Sequence, residues 1–367
     1  MPVQTYRPDQ AWREALEFGS RLARSAEALG RIRDEDVDVG STPKTEVMRV
    51  EKVTLSRYTP LEGVEVKTGP VLIVYGLVGR YTMADLQEDR SLVRNLLGRG
   101  VDLYVVEWGN PTRADQFLSL EDYIDWFLDD CVERIRDEAG VDKVTLLGIC
   151  EGGTFSTLYA ARHAEKVQNL ILTITPIDFH ADMDDPEAAH GFLNVWTRNL
   201  ENRDIERLIE AFGNLPGEIM ASVFQMLTPV RNLTKYNIDL LDIAGDDKKL
   251  MNFLRMEKWL ADRPHHPGAA ARQWLIDLYK ENRLVKGTFE LGGEAVDLRR
   301  LTMPILNVYA LQDHIIPPPC AMALGPLVGT NDYTELALPG GHVGVYVSSK
   351  SQGIVGDTVF DWLIGRQ

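Results

Sequence analysis

The stretch Leu146-Leu147-Gly148-Ile149-Cys150-Glu151-Gly152-Gly153 decides how this chain is read. It runs from a buried strand through a glycine-hinged turn into a helix. Val141-Asp142-Lys143-Val144-Thr145 opens the strand, and Thr154-Phe155-Ser156-Thr157-Leu158-Tyr159-Ala160-Ala161-Arg162-His163 continues the helix. A G-x-S-x-G nucleophile elbow needs this context, because its glycines let the backbone turn sharply enough to expose a nucleophile at the apex. Here Cys150 stands where the serine would be. A thiolate is a strong nucleophile once a base and a helix N-terminus lower its pKa from about 8.5, and it suits thioester chemistry. Free cysteine is also often just a small buried apolar group, so the assignment needs partners elsewhere.

Working outward, Pro70-Val71-Leu72-Ile73-Val74-Tyr75 and Val101-Asp102-Leu103-Tyr104-Val105-Val106-Glu107 are apolar runs typical of central parallel strands. Between them Ser91 to Leu97 reads as a helix ended by Gly98 and Gly100, which makes a βαβ unit. Val47 to Tyr58 alternates partially and predicts one edge strand. Leu120 to Glu138 is an amphipathic helix, and Val167 to Ile174 is a further strand. Strand and helix alternate, so the fold class is α/β with a doubly wound, mostly parallel sheet. From 177 to 294 the pattern turns mainly helical, and strands resume at Pro304–Ala310 and Tyr333–Leu338. The expected organisation is an N-terminal helical arm (1–45), a first core part (46–176), an inserted cap domain (177–294) and a second core part (295–367).

The chain has 367 residues, 44% apolar and 26% charged, enough for one large core plus an insertion. Its net charge of −16 argues against general nucleic-acid binding. No apolar run approaches the roughly 20 residues of a membrane span, and the N-terminus lacks a signal core, so a cytoplasmic protein is expected. Cys131, Cys150 and Cys320 fit neither a disulfide framework nor a zinc site. The His265-His266 pair has no matching ligands for a metal.

If Cys150 is a nucleophile, an acid should follow a late strand and a histidine the last one. Asp313 follows the strand ending at Ala310, and His342 lies in Pro339-Gly340-Gly341-His342-Val343-Gly344 after the strand ending at Leu338. The imidazole would take the thiol proton, and the carboxylate would hold its tautomer. His314 is a rival base, but vicinal side chains rarely face one another. Cys131, amid acidic residues in a helix, and Cys320, after Pro317-Pro318-Pro319, lack an elbow. An oxyanion hole needs two N–H donors, one from Glu151 and one from the loop Tyr75-Gly76-Leu77-Val78-Gly79-Arg80, with Val78 favoured over Leu77.

The residues also resemble a known family. Gly148-Ile149-Cys150-Glu151-Gly152-Gly153 is similar to the G-x-C-x-G-G box of polyhydroxyalkanoate synthases. Asp85–Ser91, Val106–Pro111, Asn252–Trp259, Ala310–His314 and Pro339–His342 look like the short catalytic subunit of the class III, two-component enzymes. That resemblance implies an α/β-hydrolase fold, with Cys150 bearing the acyl chain, His342 as general base and Asp313 as its partner. It implies polymerisation of (R)-3-hydroxyacyl-coenzyme A, 3-hydroxybutyryl foremost, with coenzyme A released and no resident cofactor. It further implies a growing polyester chain as second substrate and a second synthase subunit of the PhaE type. A homodimer or higher oligomer at the surface of polyester granules is expected as well. Arg231, Lys235, Arg255 and Lys258 could meet coenzyme A phosphates, although a solvated face is the default for each. Stripes such as Trp259, Trp274 and Leu275 are read first as core. The alternatives are a Cys-His-Asp thioesterase or dienelactone-type hydrolase, and a silent granule-coat or binding subunit.

Overall fold

Strands that are apolar on both faces need cover on both faces, and the centre of this molecule supplies it. The computed structural model describes residues 7–183, 190–227 and 234–366. One eight-stranded sheet is formed by β1 (Lys44–Val50), β2 (Val53–Tyr58), β3 (Pro70–Val74), β4 (Asp102–Glu107), β5 (Val144–Ile149), β6 (Val167–Thr173), β7 (Ile305–Ala310) and β8 (Tyr333–Leu338). Their order across the sheet is β1-β2-β4-β3-β5-β6-β7-β8. From β4 to β8 neighbouring strands are parallel, while β2 runs antiparallel to both β1 and β4. Every residue of β3, β5 and β7 is buried, whereas the edge strands β1 and β8 are mostly not. Each fully buried Val, Leu or Ile contributes about 1.5–3 kcal/mol, so this layer fixes where its loop-bearing ends lie.

The single edge strand expected over Val47–Tyr58 is in fact a hairpin, with Val50 opposite Val53. Glu51 makes the reversal at φ 52°, a left-handed conformation that glycine or asparagine more often takes. Alternation alone therefore hid the turn.

The helices lie where the periodicity puts them. In α2 (Leu92–Leu97) the Ser91 hydroxyl caps the first turn by accepting the Arg94 N–H at 2.9 Å. Such a cap stabilises by about 1 kcal/mol. The amphipathic segment is π-helical over Asp122–Leu128 and then α-helical as α3 (Asp129–Ala139), which Gly140 ends at φ 65°. The helix after the elbow is α4 (Glu151–Arg162).

The chain divides into two compact units. The smaller joins the described residues up to Val39 with Ala221–Ala261. It contains α1 (Pro8–Gly30) and α5 (Asp247–Ala261). Arg21 pairs there with Asp242, and Arg255 reaches Asp38 Oδ1 at 2.7 Å. Along α1, Trp12, Leu16, Phe18 and Leu22 are all more than half exposed. The larger unit, Gly40–Met220 with Asp262–Gln367, holds the sheet. The helical stretch between β6 and β7 thus contributes to both units. Among the described residues no helix is long and apolar enough to cross a membrane.

Candidate active site

At the end of β5 the backbone turns at Cys150 with φ 54° and ψ −123°, and α4 begins at the next residue. A non-glycine residue held there stores about 1–3 kcal/mol of strain, which persists only when the surroundings over-determine it. The Cys150 N–H donates to the Thr173 carbonyl at 3.0 Å, and its own carbonyl accepts the Gly153 N–H at 2.9 Å. Close approach explains the glycines. A Cβ on Gly148 would lie 2.8 Å from Ser156 Oγ, one on Gly152 would enter the Val74–Tyr75 backbone, and one on Gly153 would strike the Thr175 side chain. The sequence therefore sets α4 hard against the sheet, with the thiol at its N-terminus. Cys150 is partly exposed, while Cys131 and Cys320 are buried.

Two loops from the last strands complete the constellation. Asp313 Oδ1 accepts the Ile315 and Ile316 N–H groups at 2.8 and 2.9 Å, and Oδ2 lies 2.7 Å from His342 Nδ1. The carboxylate thus organises its own turn and orients the imidazole together. Burial would lower the His342 pKa, but the Asp313 charge and the facing Cys150, through charge and hydrogen bond, push it up to about 10. The structure brings Cys150, Asp313 and His342 together. His314 is exposed, its carbonyl accepting the Phe192 N–H at 2.8 Å.

The loop proposed to face the oxyanion holds a surprise. The Val78 N–H donates to Glu151 Oε2 at 3.0 Å, so in this structure it is engaged by a side chain rather than presented free to a substrate. Leu77 is the neighbouring donor named as the alternative. The Glu151 N–H, at the first position of α4, has no intrahelical acceptor, as helix geometry requires. The Glu151 side chain is fully buried, and its Oε1 lies 2.9 Å from His266 Nε2. Arg263 Nη1 donates to the Val78 carbonyl at 2.8 Å. Sequence reading missed His266 and Arg263, because nothing in their spacing signals contacts made across 115 and 185 residues.

Comparison with known proteins bears on this geometry. A family model described as the alpha/beta hydrolase fold matches residues 69–347. The chain is 42% identical over 361 residues to the "Poly(3-hydroxyalkanoate) polymerase subunit PhaC" of Allochromatium vinosum, covering 98% of each chain. This chain belongs to the PhaC family. A relative of the same name from Synechocystis is 43% identical over 355 residues, covering 96% of this chain and 93% of that one. In Haloferax mediterranei another is 36% identical, covering 97% of this chain and 70% of that one. Among solved structures, a thermophilic esterase from Thermogutta terrifontis aligns with TM-score 0.50 and 17% identity, over 88% of this chain and 98% of its own. At 13% identity, a putative non-heme bromoperoxidase from Mycobacterium tuberculosis also aligns with TM-score 0.50, over 86% and 97%. These two speak to the fold alone.

Other candidates fall outside the constellation. Burial, with the Asp130 charge, raises the Cys131 thiol far above its ordinary range, and burial, with Asp182, pushes Cys320 up to about 12. Trp274 is buried and meets Phe155 of α4 edge-on at 6.1 Å and Phe179 at 5.7 Å, a packing role. Trp259 is buried as well. Within the smaller unit, Lys235 pairs with Glu257 at 2.7 Å and Lys258 with Asp34 at 3.1 Å, as Arg255 does with Asp38. Arg231 lies outside the described residues. Among the described residues no group of three or more His, Cys, Asp or Glu could hold a metal.

Proposed function

We infer that this chain is the catalytic subunit of a poly(3-hydroxyalkanoate) polymerase, joining (R)-3-hydroxyacyl groups, 3-hydroxybutyryl foremost, with release of coenzyme A. The observation that carries the mechanism is a cysteine on a strained elbow that faces an Asp-held histidine. Family membership supplies the reaction class. The Cys150 thiolate attacks the substrate carbonyl, and the tetrahedral oxyanion collapses with cleavage of its bond to coenzyme A sulfur. His342 gives its proton to the departing thiolate and becomes neutral. Once acylated, Cys150 carries no charge to hold a proton on His342. The imidazole is then free to take the proton of an incoming 3-hydroxyl, whose oxygen attacks the thioester carbonyl; the bond to Cys150 Sγ breaks, the ester link forms, and the Cys150 thiolate and protonated His342 are restored. A thioester keeps the acyl group more activated than a serine ester would.

Polymer forms only if the hydroxyacyl group outcompetes water, and the segment over 177–294 is the proposed barrier. No resident cofactor takes part in this scheme. The word "subunit" in the relatives' names supports a second polypeptide of the PhaE type. The exposed apolar residues of α1 are the first place to seek its contact. Self-association and a cytoplasmic place at the granule surface complete the proposal.

The test mixes the purified chain with 3-hydroxybutyryl-coenzyme A, with and without a candidate second subunit. Free thiol is followed, and the Cys150 peptide is weighed. Thiol release, an acyl adduct on Cys150 and insoluble polyester are expected. Soluble 3-hydroxybutyrate as the sole product would mark a hydrolase instead, and absence of adduct and release in both mixtures would remove the assignment.

A further inference from the structure

Glu151 directly follows the nucleophile, yet its carboxylate sees no solvent and His266 is only 1% exposed. A carboxylate so placed is unfavourable twice over, by loss of water and by adding negative charge beside a thiolate and a developing oxyanion. One neighbour answers both. His266 Nε2 lies 2.9 Å from Glu151 Oε1, and its Nδ1 lies 3.4 Å from the Pro267 carbonyl oxygen. Two ring nitrogens that each face an acceptor suit an imidazolium, which donates from both. The histidine is itself anchored, exchanging two backbone hydrogen bonds of 2.9 Å with Leu215. On the other side Glu151 Oε2 takes the Val78 N–H at 3.0 Å, while Arg263 holds the Val78 carbonyl at 2.8 Å. Gly76 packs so closely on Glu151 that a Cβ there would strike the carboxylate side chain, which leaves it no room to swing aside.

We propose that Glu151 and His266 are positioning residues for the polymerase reaction: a carboxylate and an imidazolium that fix the loop over 76–79 beside the elbow without adding net charge next to Cys150. This rests on Cys150 being the nucleophile. His342, Tyr75, Arg263, Tyr279 and Tyr346 also interact electrostatically with Cys150. His265, beside His266, accepts the Gly217 N–H at 3.1 Å and lies 3.8 Å from Glu218.

The experiment measures the pH dependence of iodoacetamide alkylation at Cys150, identified by peptide mass, in the full chain. The parent is compared with His266→Gln, Glu151→Gln and the double variant. His266→Gln strips the carboxylate of its counter-charge, so the alkylation midpoint should rise by about one pH unit. Adding Glu151→Gln removes the charge and should return the midpoint to within about 0.2 unit of the parent. A purely structural role would not produce that rescue. An unmoved midpoint in His266→Gln, or no return in the double variant, overturns the pair. Where His266→Gln is too unstable to titrate, thermal midpoints decide: the double variant melting above His266→Gln supports the pair, and the reverse order refutes it. A parent chain whose Cys150 takes up neither iodoacetamide nor a substrate acyl group refutes the nucleophile reading itself, whatever the variants do.

Discussion

Cys150 and Cys131 carry the same side chain in opposite settings. Cys150 stands at a turn with φ 54°, partly exposed, at the first turn of α4 and facing an imidazole that Asp313 orients. Cys131 is the third residue of α3, inside the continuous helical run that starts with the π-helical Asp122–Leu128, and it is fully buried, with a thiol that burial and the Asp130 charge keep protonated. The difference lies in the backbone and its neighbours. One thiol is partly exposed at a helix N-terminus and faces an imidazole, and the other fills space in a core.

The largest way to break that contrast is Cys150→Ala, which should lower coenzyme A release by roughly 10³-fold or more in a thiol-release assay. Retained turnover there would make the two cysteines equivalent. His342→Gln should cost about 10²–10³-fold in the same assay, with Asp313→Asn close behind because the imidazole loses its tautomer and orientation. If either variant works at the parent rate, facing His342 is not what sets Cys150 apart. Gly153→Ala should destabilise the protein by about 1–3 kcal/mol in denaturant titration, since α4 must move off Thr175.

The pH dependence of stability sharpens the electrostatic side. His342 is raised from 6.5 to about 10, first against burial and then by Asp313 and Cys150, so its stabilisation is complete below about 6.5 and is lost as pH rises through about 10. Urea midpoints should therefore fall over that range, and should fall less in His342→Gln. The smallest effect belongs to Cys131→Ala. Activity should stay within about twofold, with about 1 kcal/mol of stability lost for the small void left behind.

Much of this contrast was legible in the chain itself. Continuous apolar runs located β3 to β7, and the glycine spacing around Cys150 gave the elbow. The order nucleophile, acid, base picked out Asp313 and His342, which the structure brings into contact. Local patterns report what a residue does to its own turn, so they could not show the hairpin at Glu51, where a non-glycine residue adopts a positive φ. Nor could they show that Glu151 turns inward to His266 and takes the Val78 N–H. Those contacts depend on the tertiary closure of segments far apart in the chain.

The order of strands across the sheet sets when the thiol becomes useful. Cys150 follows β5, while Asp313 and His342 follow β7, which pairs parallel with β6, and β8, which pairs parallel with β7, both made only after the long helical stretch. A chain still emerging from the ribosome therefore carries its elbow without a base. On the proposed mechanism, acylation would wait for the docking of the last two strands, and its onset would report completion of the fold.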